Sequence, residues 1–385
     1  MFTLFIFIAV LAVLVLSHEF GHFIVAKKSG MKVFEFGFGL PPRACGWYRD
    51  PITKKWKFVN GNFDRETAPA TIYSLNWLPV GGFVQIKGEN ENADVSPDGF
   101  GGQKFYKKVL TISAGVIMNV IVAMILLSVG YLIGAPQAVD NIEGPAVTNR
   151  RTEILQVMAG RPAAEAGLQS GDVFVKVGEL DYPRLKDLQN YTNTHSAGEI
   201  AVTVARGSEM ITKNIRPTIY QDTGKAGFGV AVAEIGTVKY NVFQALYHGF
   251  IDTFVYLKAI VVAFYNLIAG IFAGTGVGES VSGPVGIAVM SGKAARMGWS
   301  YLIQFTALLS LNLAIFNVLP FPALDGGRLL FLVIGKLKGS PVNPKWEQLS
   351  HSIGYGLLLL LFVVVTARDL SGLGAKVVGL VERIF

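Results

Sequence analysis

Two histidines four residues apart, His18 and His22, bracket Glu19 in the run His18-Glu19-Phe20-Gly21-His22. On a helix, positions i and i+4 lie on one face. Both imidazoles can then reach one Zn2+, with Glu19 beside it as general base. The run sits inside an apolar segment, Phe2 to Ala26, whose other polar residues are Thr3 and Ser17. An ionisable residue in such a span costs about 2.5–3.5 kcal/mol on insertion scales, which favours a functional site over a structural polar cluster.

A catalytic zinc needs a third protein ligand and an open position. Cys45 is the only cysteine, which excludes a Cys-built zinc site and any intramolecular disulfide. His195 and His248 fall outside the apolar runs, and His351, at the start of the last run, stays as a weaker option. The better candidate is Asp325, in Asn317-Val318-Leu319-Pro320-Phe321-Pro322-Ala323-Leu324-Asp325-Gly326-Gly327. Pro320 and Pro322 cannot continue a helix, so the chain should break near Leu319 into an extended turn carrying Asp325. Gly326 and Gly327 allow close backbone approach. An aspartate at that depth calls for a cation partner. The competing reading makes Asp325 the cap of the following helix.

Elements able to position these groups follow from composition. The chain has 385 residues, 51% hydrophobic and 16% charged. A soluble domain carries about 25% charged residues. This excludes a disordered chain and argues against an ordinary cytosolic enzyme. Four runs are long enough to span a bilayer: Phe2 to Ala26, Val109 to Gly134, Tyr301 to Leu319 and Trp346 to Thr366. No basic residue precedes the first run and no small-residue cleavage pattern closes it, so it reads as an anchor rather than a signal peptide.

The net charge of +7 is unevenly spread. Thirteen Lys and Arg lie between Lys27 and Lys108, many near membrane ends, and the positive-inside rule puts that loop in the cytoplasm. The N-terminus and residues 136–298 then lie outside. This is a topological signature and gives no reason to expect nucleic acid. Phe250 to Phe272 is apolar but contains Asp252, Lys258 and Asn266. If it crossed, simple alternation would carry Asp325 to the face opposite His18, so it reads as an amphipathic or re-entrant element on the outer surface.

Within the outer segment, Pro162 to Gly167 reads as a short helix, Ser170-Gly171-Asp172 as a turn and Val173 to Val177 as an alternating strand. A second helix is expected at Leu185 to Tyr191, and a strand pair at Ile200 to Ala205 and Met210 to Arg216, turned at Arg206-Gly207-Ser208. The arrangement resembles a PDZ domain, a fold that binds extended chains by strand addition. Gly227-Phe228-Gly229-Val230 is either a ligand-binding turn or a closing strand.

Taken in this order, H-E-x-x-H, the PDZ-like insertion and N-x-x-P-x-P-x-L-D-G resemble the site-two protease family of intramembrane zinc metalloproteases, nearest the bacterial RseP type. The resemblance covers essentially the whole chain. It implies Zn2+ ligation by His18, His22 and Asp325, with Glu19 as the base. It implies substrate positioning by Asn312 and Asn317, together with Pro320 and Pro322. Gly37-Phe38-Gly39-Leu40-Pro41 resembles the family's membrane-dipping loop, and Leu78 to Val84, with Gly81 and Gly82, its β-hairpin. The expected fold is a polytopic α-helical membrane protein of about four transmembrane helices, with membrane-associated β-hairpin elements and an inserted α+β PDZ domain. The expected boundaries are a first span at 1–30, β elements at 31–104, a second span at 105–135 and the PDZ domain at 140–235. The surface segment is expected at 240–298, the third span with its motif at 299–338, and the fourth with a tail at 346–385. The expected setting is a bacterial inner (plasma) membrane. The implied partners are the lipid bilayer and single-span membrane proteins, such as anti-sigma factors or remnant signal peptides. One PDZ unit stands where the best-known member has two, which leaves substrate gating open. Two rivals are a non-catalytic PDZ scaffold with a structural metal and a metal transporter. The transporter would need a polar track across the membrane, for which Asn119 is the only further candidate.

Overall fold

The computed structural model describes residues 2–89, 96–139, 147–207, 209–220, 224–273 and 283–381. Ser208 of the expected hairpin turn, residues 140–146 of the expected PDZ segment and the last residues of the C-terminal tail lie outside these. The chain divides into two compact units, Met1–Val129 with Leu246–Phe385, and Gly130–Ala245.

The first unit opens with helix α1, Phe2–Lys28, which carries the H-E-x-x-H run in its last three turns. Three antiparallel strands follow: β1 (Val33–Arg49), β2 (Trp56–Asn60) and β3 (Ile72–Ile86), in the order β2-β1-β3. β1 doubles on itself, so that Gly37 is partnered by Phe83 on one side and Ser74 on the other, while Gly46 also meets Ser74. The reversal is pinned by a buried fork: Arg43 Nε donates to Glu35 Oε1 at 2.8 Å and Arg43 Nη2 to Glu35 Oε2. Such bidentate pairs fix geometry as well as charge. Helix α2, Phe105–Ile133, then returns alongside α1. A core of Phe23, Ala26, Met31, Val33, Ile86 and Ile112 ties α1, the sheet and α2 together.

The second unit holds a mixed α+β insertion. Its strands are β4 (Ala135–Ala138), β5 (Val147–Val157), β6 (Val173–Val177), β7 (Leu180–Asp181), β8 (Ile200–Arg206), β9 (Glu209–Ile215), β10 (Thr218–Ile219), β11 (Ala226–Gly227) and β12 (Val230–Val238). Its helices are α3 (Pro162–Glu165) and α4 (Leu185–Thr194). The main sheet runs β4-β12-β5-β6-β8-β9, with β7 beside β6. The expected helix, turn, strand, helix and strand pair all form where the sequence puts them. Gly227 and Val230 end one strand and begin the next, so the Gly-Phe-Gly-Val stretch is a strand-to-strand connection. Phe174 and Val177 of β6, on either side of a register shift, are buried with Val202 and Val204 of β8 against Leu188 of α4.

The chain re-enters the first unit through α5, Val242–Phe272. It continues with α6 (Pro284–Met297), α7 (Trp299–Val318), α8 (Asp325–Lys338) and α9 (Pro344–Val381). Among the described residues, five helices are long and apolar enough to cross a membrane: α1, α2, α5, α7 and Pro344–Ser371 of α9. The sequence reading counted four and laid 250–272 on the outer surface. α5 is a continuous 31-residue helix, so 250–272 joins those four runs as a fifth candidate by length and composition. Its Tyr256, Leu257 and Ile260 join the core of α2 and α7, and Phe264 stacks edge-on against Phe316. The polar residues scattered along it, Gln244, His248, Asp252, Thr253, Lys258 and Asn266, do not prevent helix continuity, and the apolar majority finds two helices to pack on. The meeting that the alternation argument requires is present. α7 starts beside Ile6 and Val10 of α1, and Asp325, beyond its end, meets His18. The two helices therefore run parallel, the relation that a single crossing by α2 between them gives.

Candidate metal centre

The motif helix and its neighbour touch because two positions carry no side chain. A Cβ on Gly21 of α1 would overlap Ala114 of α2 and lie 2.9 Å from Met118 Cβ. A Cβ on Gly115 of α2 would lie 2.6 Å from His18 Cε1 and 2.7 Å from His18 Nε2. Both histidines are buried in this crossing, each 8% exposed.

The third component comes from the far end of α7. The helix stops at Val318, the two prolines follow, and residues 319–324 form the connection. Asp325 is the first residue of α8 and so lies just after that turn, not within it. A Cβ on Gly326 would overlap the Val318 and Leu319 carbonyls, and one on Gly327 the Phe321 carbonyl. The two glycines fold the start of α8 tightly back on the end of α7. Leu324 is the N-cap, and it makes no side-chain cap bond. Asp325 Oδ2 is buried with no hydrogen-bond partner, so its carboxylate is not spent on capping.

These pieces bring three potential ligand atoms to one point. His18 Nε2 lies 3.0 Å and His22 Nε2 3.3 Å from Asp325 Oδ2, and the two nitrogens are 3.2 Å apart. Among the described residues, His18, His22 and Asp325 are the one group of three or more His, Cys, Asp or Glu whose ligand atoms lie within 4.8 Å of one another. Ligands tetrahedrally arranged at zinc distances are about 3.3 Å apart, so the donor set and its spacing fit a zinc ion. The orphaned carboxylate oxygen supplies a second sign of fit, because a buried anion needs a cation.

The rear of each imidazole faces α2. His22 Nδ1 lies 2.8 Å from the Thr111 carbonyl oxygen. A carbonyl only accepts, so Nδ1 carries the hydrogen and Nε2 of the neutral ring keeps its lone pair for a metal. His18 Nδ1 lies 3.2 Å from Nδ2 of Asn119, which is fully buried. Glu19, on the same helix, turns to the sheet: the Val84 N–H donates to Glu19 Oε2 at 3.1 Å. A Cβ on Gly82 would lie 3.5 Å from Glu19 Cγ.

The remaining expected residues divide. Gly82 borders Glu19, while Gly37 and Gly39 sit in β1, Gly39 with φ of +81° against the Leu78 carbonyl. Gly81 also takes a positive φ, +85°. Asn312 donates to the Leu308 carbonyl of its own helix at 2.9 Å, and Asn317 is half-buried in the last turn of α7. Pro320 and Pro322 shape the connection to Asp325. His351 is not drawn to the metal group. Its Nδ1 accepts from the Ala323 N–H at 2.8 Å. Sequence reasoning missed Thr111 and Gly115, whose contribution is a backbone carbonyl and an absent side chain. It also missed Arg328, which donates to Glu89 Oε1 at 2.5 Å and braces α8 against the chain beyond β3.

Residues 6–60 and 61–361 match peptidase family M50. A relative from Clostridium perfringens, named a zinc metalloprotease, is 31% identical over 93% of this chain and 95% of its own. The regulator of sigma-W protease RasP of Bacillus subtilis is 27% identical over 96% of this chain and 99% of its own. Among solved structures, the PDZ domain of the SdrC-like protein of Listeria monocytogenes aligns with 22% of this chain and 90% of its own, at 18% identity and a TM-score of 0.21.

Proposed function

This chain belongs to peptidase family M50, and from that premise we propose that it cuts membrane proteins at a zinc held by His18, His22 and Asp325, with Glu19 as general base. The zinc metalloprotease activity itself goes with the family and its relatives. The observation that carries the residue assignment is the meeting of Nε2, Nε2 and Oδ2 from two helices within 3.3 Å, around an otherwise unpartnered carboxylate oxygen.

A zinc ion in that position supplies Lewis-acid polarisation of the scissile carbonyl and acidifies the attacking water. The chain's own residues do the rest. The Val84 N–H fixes the direction of the Glu19 carboxylate, leaving Oε1 to take the proton of the attacking water and later hand it to the leaving amine. A helical substrate hides its carbonyls in its own bonds and must first unwind. The unwound stretch then lies as an added strand along the glycine-rich edges at Gly37, Gly39, Gly81 and Gly82. Asn312, Asn317, Pro320 and Pro322 border the same path. Water has to reach the site, so its cavity opens towards one membrane face, here the cytoplasmic one.

The basic loop between α1 and α2 supports a cytoplasmic site, with the N-terminus and the second unit outside a bacterial inner membrane. RasP is named a regulator of sigma-W. We extend that to single-span anti-sigma-factor-like substrates, remnant signal peptides being the other class. The second unit then serves as a docking or size filter that admits substrates already trimmed. Purified Glu19→Gln should bind about one zinc per chain yet lose about 100-fold or more in cleavage of a transmembrane peptide. Undiminished cutting would overturn the assignment of the base.

A further inference from the structure

Three positions on α2, each four residues from the next, face the two histidines: Thr111, Gly115 and Asn119. They form one ridge of that helix. Thr111 offers its carbonyl to His22, Gly115 offers empty space at the crossing, and Asn119 offers its amide to His18. Asn119 is 0% exposed in a span with no charged residue between Val109 and Ile133. It is also held from behind. Ser310 Oγ of α7 donates to the Asn119 carbonyl at 2.8 Å, and Ser17 Oγ of α1 reaches its Oδ1 at 3.5 Å.

The polarity of the His18 contact matters. With Nδ2 towards the ring, an N–H donates to Nδ1, so the ring hydrogen sits on Nε2. That tautomer has no lone pair at Nε2 to give a metal. Ligation through Nε2 puts the hydrogen on Nδ1, and Nδ1–H needs an acceptor. A half-turn of the carboxamide exchanges its nitrogen for its oxygen in nearly the same place. We infer that Asn119 is a positioning residue for the metal centre: by turning Oδ1 to His18 Nδ1–H it fixes the metal-binding tautomer, doing with a side chain for His18 what the Thr111 carbonyl does for His22. Ser17, next to His18 on α1, suits the reversal, because a hydroxyl can donate to Oδ1 or accept from Nδ2.

This inference rests on the zinc assignment proposed above, and the two separate in one experiment. Zinc affinity of the full-length protein in detergent is measured by chelator competition for wild type, Asn119→Leu and Asn119→Asp. A wild type that binds no zinc sinks the zinc reading itself. Given a wild-type site, Asn119→Leu should bind about 10–100-fold more weakly. Asn119→Asp, an acceptor with no hydrogen to donate, should retain wild-type affinity or exceed it. Equal affinity in Asn119→Leu would overturn the inference, as would a loss in Asn119→Asp as large as in the leucine variant. Should the leucine variant fail to fold, the imidazole 15N spectrum of histidine-labelled, zinc-loaded wild type decides. A protonated Nδ1 on both ligand rings supports the inference, and a protonated Nε2 on His18 refutes it.

Discussion

Ala323 holds a left-handed backbone, φ +80°, and its N–H donates to His351 Nδ1 at 2.8 Å. A non-glycine residue pays about 1–2 kcal/mol for that conformation. The turn that leads into Asp325 is therefore kept in place partly by α9, whose Gly354 also lets the Pro322 carbonyl come close. His351→Leu, which removes the acceptor, should lower zinc affinity by about tenfold. His351→Gln, which keeps one, should recover most of it. Both should still reach one zinc per chain at saturating metal, whereas Asp325→Ala should not. Full zinc retention in Asp325→Ala would make His351 the next ligand to test.

The Gly115 position makes a sharper demand. Alanine there forces a methyl group to within 2.7 Å of both Cε1 and Nε2 of His18. Neither the helix backbone nor a ring held at both ends has room to yield. Gly115→Ala should abolish zinc binding while the protein remains helical by circular dichroism. Gly356 in α9 has nothing within 4 Å of a built Cβ. Gly356→Ala is the matched control, expected to bind zinc normally and to gain up to about 1 kcal/mol of helix stability. A Gly115→Ala protein with normal zinc content would mean that the helix crossing is looser than described.

What the sequence reveals follows from what each residue does with its side chain. His18, Glu19, His22 and Asp325 stand out because charge in an apolar run is costly, and the two prolines locate the break before Asp325. The insertion is legible from the alternation of Ile200, Val202 and Val204 in β8 and from the proline and glycine that bound the short helix before β6. The partners of the site are not legible. Thr111 acts through its carbonyl and Gly115 through what it lacks, and neither role leaves a trace in residue type. Asn119 did leave one, as a lone amide in an uncharged span, but its purpose needed the facing helix. Residues 250–272 do not declare in sequence that they belong to one continuous helix, because its packing on α2 and α7 depends on neighbours that only the fold brings together.

Arg328 and Glu89 form a brace between α8 and the chain just after β3. One side of it carries Asp325, three residues before Arg328; the other follows the strand whose Val84 holds Glu19. The brace thus links the start of α8, which bears Asp325, to the strand that orients Glu19. Glu89→Gln weakens it without adding bulk. The expected result is unchanged zinc stoichiometry and a fall in cleavage of about 10–100-fold, the scale associated with a misplacement near 1 Å. A matching fall in zinc affinity would show instead that the brace supports Asp325 alone.

Asp172 and Arg206 carry the pH dependence of the second unit. Arg206 Nε and Nη2 donate to the two Asp172 oxygens at 2.7 and 2.8 Å, and the Gln169 N–H donates to Oδ2 at 2.9 Å. Burial pushes the carboxyl up, but the guanidinium and the backbone donor outweigh it and hold Asp172 below the ordinary carboxylate range. The unfolded chain, with aspartate near about 3.9, then binds the proton more readily than the folded one. The pair's contribution is complete above that value and is lost as the pH falls through the folded one. Hydrogen-exchange protection of β6 and β8, corrected for intrinsic rates, should fall as the pH drops below about 4. In Arg206→Met protection should already be lower at neutral pH, by about 1–3 kcal/mol, because the buried carboxylate has lost its fork. Its decline with acid should be shallower, since a carboxyl without its cation titrates closer to the unfolded value. Parallel acid profiles in the two proteins would assign the transition to other carboxylates of the sheet.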